Sequence, residues 1–272
     1  MTPDSSKISD MLNAATEAAA IAGQRAMDEI KHIKASIKNG AEMLTTADGL
    51  CQQLIIDRIR RDYPDHGIIA EEGPDGKPLK QPPCRGEQIW WVIDPIDGTN
   101  NYAHGMMCFG VSIAAVCDGL PIVGVIFEPA TGSMFTAARD TATELNGSPI
   151  TVSREQINEF ASFGIDSHFG PEMADGIEKI MRLTRFRNLG TTAMHLAYVA
   201  KGSFLGTVTT IAKIWDIAAG AIIIENAGGI VTDISGEKIF PADIENCIGK
   251  NYQLLAANRE AHSQFLKIFK KD

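Results

Sequence analysis

The stretch "WVIDPIDGTNNYAHG" at residues 91–105 decides how this chain is read. With Ile89 and Trp90 ahead of it, Trp91, Val92 and Ile93 form a continuous apolar run. That is the pattern of a strand covered on both faces. The run ends in Asp94 and Asp97, with Pro95 between them. A carboxylate at the end of a buried strand is costly unless its charge is compensated, and two in one turn also repel each other. Folding alone does not ask for this placement; a bound cation does.

The predicted turn has a mechanical logic. Pro95 fixes its own φ and disfavours helix at Asp94, so both carboxylates can face one point. The same turn exposes the carbonyl of Ile96. An all-oxygen set of this kind suits magnesium, manganese or calcium rather than zinc. Gly98 removes side-chain bulk, and Thr99, Asn100 and Asn101 predict a short helix whose free N–H groups can face an anion. Carboxylates for a metal, amides for a phosphate and the hydroxyl of Thr99 outline a hydrolysis site.

Two further acidic places follow strand-like runs, where α/β proteins tend to build sites. Glu71 and Glu72 follow Gly67-Ile68-Ile69-Ala70, and Asp216 follows Ile214-Trp215. Taken singly, each has a plainer reading: a solvated loop for Glu71-Glu72, a helix N-terminal charge for Asp216, an N-cap for Gly190-Thr191-Thr192. Their coincidence carries the argument. His104 and His195 lack partners at metal-binding spacing and are read as structural.

Around these motifs the elements alternate. Helix is predicted over the first thirty residues, capped by Ser5 or Ser6, and again over 48–61 with Leu50, Leu54, Ile55 and Ile59 inward. A strand at 67–70 precedes a Pro/Gly-rich loop at 74–86. An antiparallel meander follows, with strands at 108–117, 121–127 and 133–138 and turns at Asp118-Gly119 and Asn146-Gly147. The second half alternates strands at 161–165, 203–208 and 252–256 with helices from Pro171, Gly190 and Asp216, and with a terminal helix. Layers of helix and sheet are expected in a single domain over 1–272, as two lobes of about 1–150 and 151–272.

Composition narrows the class. Of 272 residues, 44% are hydrophobic and 22% charged, as in an ordinary globular protein. No apolar run approaches the roughly 20 residues of a membrane helix. The opening MTPDSSKISDMLNAATEAAA lacks a signal peptide's basic start and greasy core, so a cytoplasmic location is expected. The net charge of −9 argues against general nucleic-acid affinity. Five scattered cysteines without CxxC spacing suggest neither a zinc ribbon nor a disulfide framework.

These residues resemble the inositol monophosphatases, a family of magnesium-dependent, lithium-sensitive phosphatases. The stretch at 91–105 is similar to that family's first signature and "WDIAAGAIIIENAGG" at 215–229 to its second. "AEEG" at 70–73, "LTTADGLCQQLI" at 44–55 and "RNLGTTAMHLAYVAKG" at 187–202 resemble further family segments, in family order. The resemblance implies an αβαβα five-layered sandwich of the α/β class, two or three Mg²⁺ ions per site, a small phosphate ester as substrate and a homodimer. It implies that Glu71, Asp94 and the carbonyl of Ile96 hold one metal, and that Asp94, Asp97 and Asp216 hold another. Glu71 and Thr99 would orient and deprotonate the attacking water. Gly98 and Thr99 would cradle the phosphate; Asp97, Asp216 and the backbone of Gly190, Thr191 and Thr192 would meet the alcohol. Asp48 occupies the place of a family aspartate near the metals.

The sequence also departs from the family. Where inositol phosphatases commonly carry a sugar-binding glutamate, seven residues before Asp216, this chain has Thr209 in "GTVTTIAKIWD". "ARDTATELNG" at 138–147 replaces a Gly-rich family turn, and His195 stands where Asn or Asp is usual. Inositol 1-phosphate is the leading substrate, with fructose 1,6-bisphosphate, histidinol phosphate and NADP as alternatives. A regulatory binding protein that keeps the fold is the competing reading.

Overall fold

The computed structural model describes residues 3–33, 35–38 and 42–269. Along the chain, α1 (Ser5–Glu29) leads to a hairpin of β1 (Ala35–Lys38) and β2 (Glu42–Thr45), then to α2 (Thr46–Asp62). Next come β3 (Gly67–Ala70), β4 (Leu79–Gln81), β5 (Ile89–Asp97) and the short α3 (Thr99–Ala103). The meander is β6 (Gly110–Cys117), β7 (Leu120–Glu128), β8 (Ser133–Ala138), β9 (Glu144–Leu145) and β10 (Ser148–Pro149). The remainder is β11 (Ser162–Ile165), α4 (Ala174–Leu183), β12 (Arg185–Arg187), α5 (Thr192–Ala200), β13 (Gly206–Ala212), α6 (Ile214–Asn226), β14 (Ile230–Thr232), β15 (Tyr252–Ala257) and α7 (Arg259–Phe269).

Two sheets organise these elements. The larger has the order β10-β9-β8-β7-β6-β5-β3-β4 and is antiparallel except where β3 runs parallel to β5. The smaller has the order β12-β11-β13-β15-β14. On one face of the large sheet, Trp91, Ile93, Val111 and Ile113 pack with Met11, Ala15 and Ala22 of α1 and Ile55 and Ile59 of α2. On the other face, Trp90, Val92, Ala114 and Val116 meet Leu196 of α5 and Ile217 and Ile223 of α6. The same helices reach Leu254 and Ala256 of the small sheet. Its opposite face, with Phe163, Val208 and Leu255, is closed by Ile177 of α4 and Phe265 of α7. The order is helix, sheet, helix, sheet, helix: the expected αβαβα sandwich.

This layering explains why residues 89–93 read as an unbroken apolar run. β5 alternates its side chains between two helical layers, so neither face meets water. Burying a side chain of Ile or Phe size contributes about 1.5–3 kcal/mol.

Several local expectations are corrected. Asp4, not Ser5 or Ser6, caps α1, its carboxylate accepting from the Lys7 N–H at 3.0 Å. Leu50 is exposed, because α2 meets α1 and the sheet through Cys51, Ile55 and Ile59, one position further around the helix. β13 begins at Gly206 and runs to Ala212, later than predicted, after the Gly202–Leu205 segment returns from α5. The loop at 74–86 contains β4, a short edge strand. No helix among the described residues is long and apolar enough to cross a membrane.

Candidate metal and phosphate site

β5 carries both aspartates of the first motif into the site. Its pairing with β6 sets Asp94 opposite Ser112 and Asp97 opposite Gly110, and the register shifts between them. The predicted turn is therefore a bulge within a strand that runs on to Asp97. Pro95 is tolerated there because a bulged residue need not donate to the ladder. The Ile96 N–H donates to Asp94 Oδ1 at 3.0 Å and orients that carboxylate.

Asp216 arrives from the first turn of α6, where its Oδ2 caps the helix by accepting from the Lys213 N–H at 2.6 Å. Ser112 Oγ donates to the Trp215 carbonyl at 3.0 Å and pins that turn to the sheet. One carboxylate oxygen from each of Asp94, Asp97 and Asp216 falls within 4.8 Å of the others. Glu71 stands at the end of β3, its N–H donating to the Ile93 carbonyl at 3.1 Å, and its carboxylate shares a hydrogen bond with Asp94.

The electrostatics follow from crowding. Burial, then the charges of Glu71, Asp97 and Asp216, raises the Asp94 carboxyl well above the usual range. Asp216 is raised by burial and by Asp97 and Glu71. Asp97 is pushed up to about 6 by burial, against hydrogen bonds from the Thr191 hydroxyl and the Ala193 N–H that lower it. Among the described residues, no Lys or Arg pairs with Asp94, Asp97 or Asp216. Carboxylates gathered without a counter-charge, all offering oxygen, fit a hard divalent cation such as Mg²⁺.

The rim is built from two backbone segments. Gly98 has φ +97°, and a Cβ there would come within 3.2 Å of the Cys108 carbonyl and of Thr191 Cβ. Thr99 Oγ1 lies 3.0 Å from the Ile96 carbonyl and 3.2 Å from Asp48 Oδ1. Asp48, buried in the first turn of α2, also accepts from the Thr45 N–H at 2.8 Å and is raised to about 6, by burial first. Asn101 Nδ2 donates to the Cys108 carbonyl at 2.7 Å and the Leu189 carbonyl at 2.6 Å, clamping the 187–192 segment onto α3. Thr191 caps α5, and its hydroxyl donates to Asp97 Oδ2, which also accepts from the Ala193 N–H at 2.6 Å.

A cavity of about 530 Å³ opens over these groups. Its lining includes Glu71, Asp94, Ile96, Asp97, Gly98, Thr99, Gly190, Thr191, Thr192, Thr209 and Asp216. Residues drawn from four separated segments of the sequence thus share one space. His104 stays outside the lining and is exposed, its Nδ1 beside the Asn100 carbonyl at 2.8 Å. His195 is buried, and its Nε2 accepts from the Leu189 N–H at 3.0 Å.

Sequence reasoning missed Asp166, which lines the same cavity and accepts hydrogen bonds from the Thr209 hydroxyl and the Thr210 N–H. The signal was present: Ser162-Phe163-Gly164-Ile165-Asp166 ends an apolar strand in a carboxylate, as Val92-Ile93-Asp94 does.

Comparison with known proteins agrees with this arrangement. The sequence model of the Inositol monophosphatase family matches residues 7–271. A Nus factor SuhB from Pseudomonas aeruginosa is 33% identical over 241 residues, covering 85% of this chain and 88% of that protein. A fructose-1,6-bisphosphatase/inositol-1-monophosphatase from Thermotoga maritima is 36% identical over 229 residues, covering 84% and 82%. The crystal structure of extragenic suppressor protein suhB from Bartonella henselae superimposes with a TM-score of 0.86 at 28% identity, over 96% of this chain and 99% of that one. Oxygen donors at the end of β5 and the start of α6, in an αβαβα frame matched along nearly its whole length, place this chain in the inositol monophosphatase family.

Proposed function

We propose that this protein is a Mg²⁺-dependent phosphomonoesterase that hydrolyses a small polyol phosphate, with inositol 1-phosphate as the leading substrate. The observation that carries the reading is the convergence of Asp94, Asp97 and Asp216 within 4.8 Å, in a cavity also lined by Thr99 and Gly98. In this reading Glu71, Asp94 and the Ile96 carbonyl hold one ion and Asp94, Asp97 and Asp216 a second. Bound Mg²⁺ would neutralise phosphate oxygens and make an attacking water more acidic.

The chain's own groups do the rest. Thr99 shares its hydroxyl proton between Asp48 and the Ile96 carbonyl, which leaves oxygen lone pairs free to accept from water. A proton taken at Thr99 Oγ1 can pass to Asp48, whose carboxyl, at about 6, is suited to exchange protons near neutral pH. Glu71, beside Asp94, faces the same water. The Gly98 and Thr99 amides bind the phosphate, and Asp97, Asp216 and the Gly190–Thr192 backbone orient the alcohol. Lithium sensitivity, a homodimeric state and a cytoplasmic location belong to the same reading and rest on family membership.

The test is phosphate release by the purified protein, with and without Mg²⁺, from inositol 1-phosphate, fructose 1,6-bisphosphate, histidinol phosphate and NADP. Mg²⁺-dependent turnover strongest on inositol 1-phosphate supports the full reading. Turnover strongest on another ester keeps the phosphatase and replaces the substrate. No turnover on any of them favours the second reading, a regulatory binding protein, which rests on relatives named as Nus factors. A lysate pull-down that recovers no macromolecular partner would count against that one.

A further inference from the structure

A carboxylate stands beside Thr209, just past the end of the neighbouring strand. β11 runs parallel to β13, with Ile165 opposite Val208, so Asp166 lies level with Thr209 just past the end of β11. Its Oδ2 accepts from the Thr209 hydroxyl and, at 3.0 Å, from the Thr210 N–H. The threonine that replaces glutamate therefore becomes a donor that fixes an aspartate. Asp166 lies close enough to Asp97 for its charge to raise that carboxyl. It thus faces the cavity beside the cluster.

Asp166 Oδ1 takes no hydrogen bond among the described residues. Behind it is a group with an unmet need. His195 Nε2 accepts from the Leu189 N–H, so a neutral ring carries its proton on Nδ1. That Nδ1 is fully buried, has no partner, and lies 3.9 Å from Asp166 Oδ1, beyond hydrogen-bond range but oriented by charge. Burial raises the Asp166 carboxyl, while hydrogen bonds from Thr209 and Thr210 and the nearby His168 favour its ionised form.

We infer that Asp166 is the specificity-determining residue of this pocket: its Oδ1 accepts a hydrogen bond from a donor on the leaving alcohol, while His195 acts behind it as a positioning residue. The inference rests on the phosphomonoesterase reading. The donor class is a hydroxyl of a polyol or the ammonium of an amino alcohol, both of which a buried acceptor selects over an alcohol lacking donors.

The experiment compares three esters under saturating Mg²⁺: inositol 1-phosphate, histidinol phosphate, and p-nitrophenyl phosphate, whose leaving group bears no donor. In D166N the Thr209 hydroxyl and the Thr210 N–H keep the amide oxygen, so the amide nitrogen faces the cavity and an acceptor becomes a donor. The expected result is a fall of about tenfold to a hundredfold in the ratio of kcat/KM for a donor-bearing ester over p-nitrophenyl phosphate, carried mainly by KM. Whichever ester shows it names the donor as hydroxyl or ammonium. The double variant D166A/T209E, which returns a carboxylate from β13, should recover the ratio. H195Q should raise KM for the same ester with kcat held, whereas a merely structural role would lower turnover of all three alike. An unchanged ratio in D166N, with p-nitrophenyl phosphate still hydrolysed, overturns the inference and leaves the phosphatase standing. Failure of the wild type to hydrolyse these three, and fructose 1,6-bisphosphate and NADP as well, overturns both.

Discussion

Thr191 Oγ1 donates a hydrogen bond to Asp97 Oδ2, joining the cap of α5 to the bulged end of β5. One hydroxyl thus serves two structures. It also accepts from the Met194 N–H at 3.3 Å as the helix cap, and it fixes which oxygen of Asp97 remains for the cavity. Thr191→Val keeps the shape and removes both roles. Metal affinity should fall by about tenfold to a hundredfold, as when a ligand's orienting partner is lost, and stability by about 1 kcal/mol from the lost cap. Turnover against Mg²⁺ concentration measures the first and chemical denaturation the second. An unshifted Mg²⁺ dependence would show that Asp97 needs no such support.

Asp94→Asn separates chemistry from folding. Turnover should drop on the order of a hundredfold to a thousandfold, the scale of losing one electrostatic contact to the transition state. The metal-free variant should be at least as stable as the wild type at pH 7, since the carboxylate it replaces is buried among like charges. The pH dependence has a definite sign. Carboxyls raised in the folded state stabilise it while protonated, and that contribution is lost as pH rises through the folded value, about 6 for Asp97 and Asp48. In chelator, the stability advantage of Asp94→Asn over wild type should therefore be larger at pH 8 than at pH 5. Denaturation midpoints at the two pH values check this.

The positive φ at Gly98 makes a third prediction. Gly98→Ala must hold a side chain in the left-handed region and press it toward the Cys108 carbonyl and Thr191. The cost should be about 1–3 kcal/mol, with activity reduced as the Thr99 hydroxyl shifts. A melting temperature equal to wild type would refute it.

How much of this was legible beforehand depends on what each residue answers to. The strands at 67–70 and 133–138 were read with their observed ends because local composition and neighbouring turns set them. The carboxylates were legible because charge at the end of an apolar run is a physical anomaly on its own. Leu50 was misplaced because the inward face of α2 is chosen by α1. The extension of β5 through Pro95 depends on β6 tolerating a register shift, which no local pattern encodes. Asp166 carried the same local signal as Asp94, but its partner Thr209 sits on a strand far away in sequence that only the parallel pairing of β11 and β13 brings alongside.

His195 supplies a fourth prediction. Its ring is held neutral by burial, with its proton uptake lowered to about 4, beside Phe204 and 3.9 Å from Asp166. An unfolded chain takes up that proton near pH 6.5, so the folded state loses stability as pH falls from there toward 4. His195→Gln removes the penalty and can still accept from the Leu189 N–H. The gap in stability between wild type and variant should move in the variant's favour from pH 7 to pH 4.5, read by denaturant titration at each pH. A gap constant with pH would mean the ring takes up its proton as readily in the folded protein as in the unfolded chain.

The Asn101 clamp joins α3, within the first signature, to the Leu189 carbonyl, and Asp216 lies further on again. During synthesis, Asp94 and Asp97 leave the ribosome long before either. A nascent chain therefore presents two crowded carboxylates without their third companion or the α5 cap. Competence to capture a cation arrives only once α6 has emerged, and a product terminated before α6 would carry the first signature yet be unable to assemble the three-carboxylate centre.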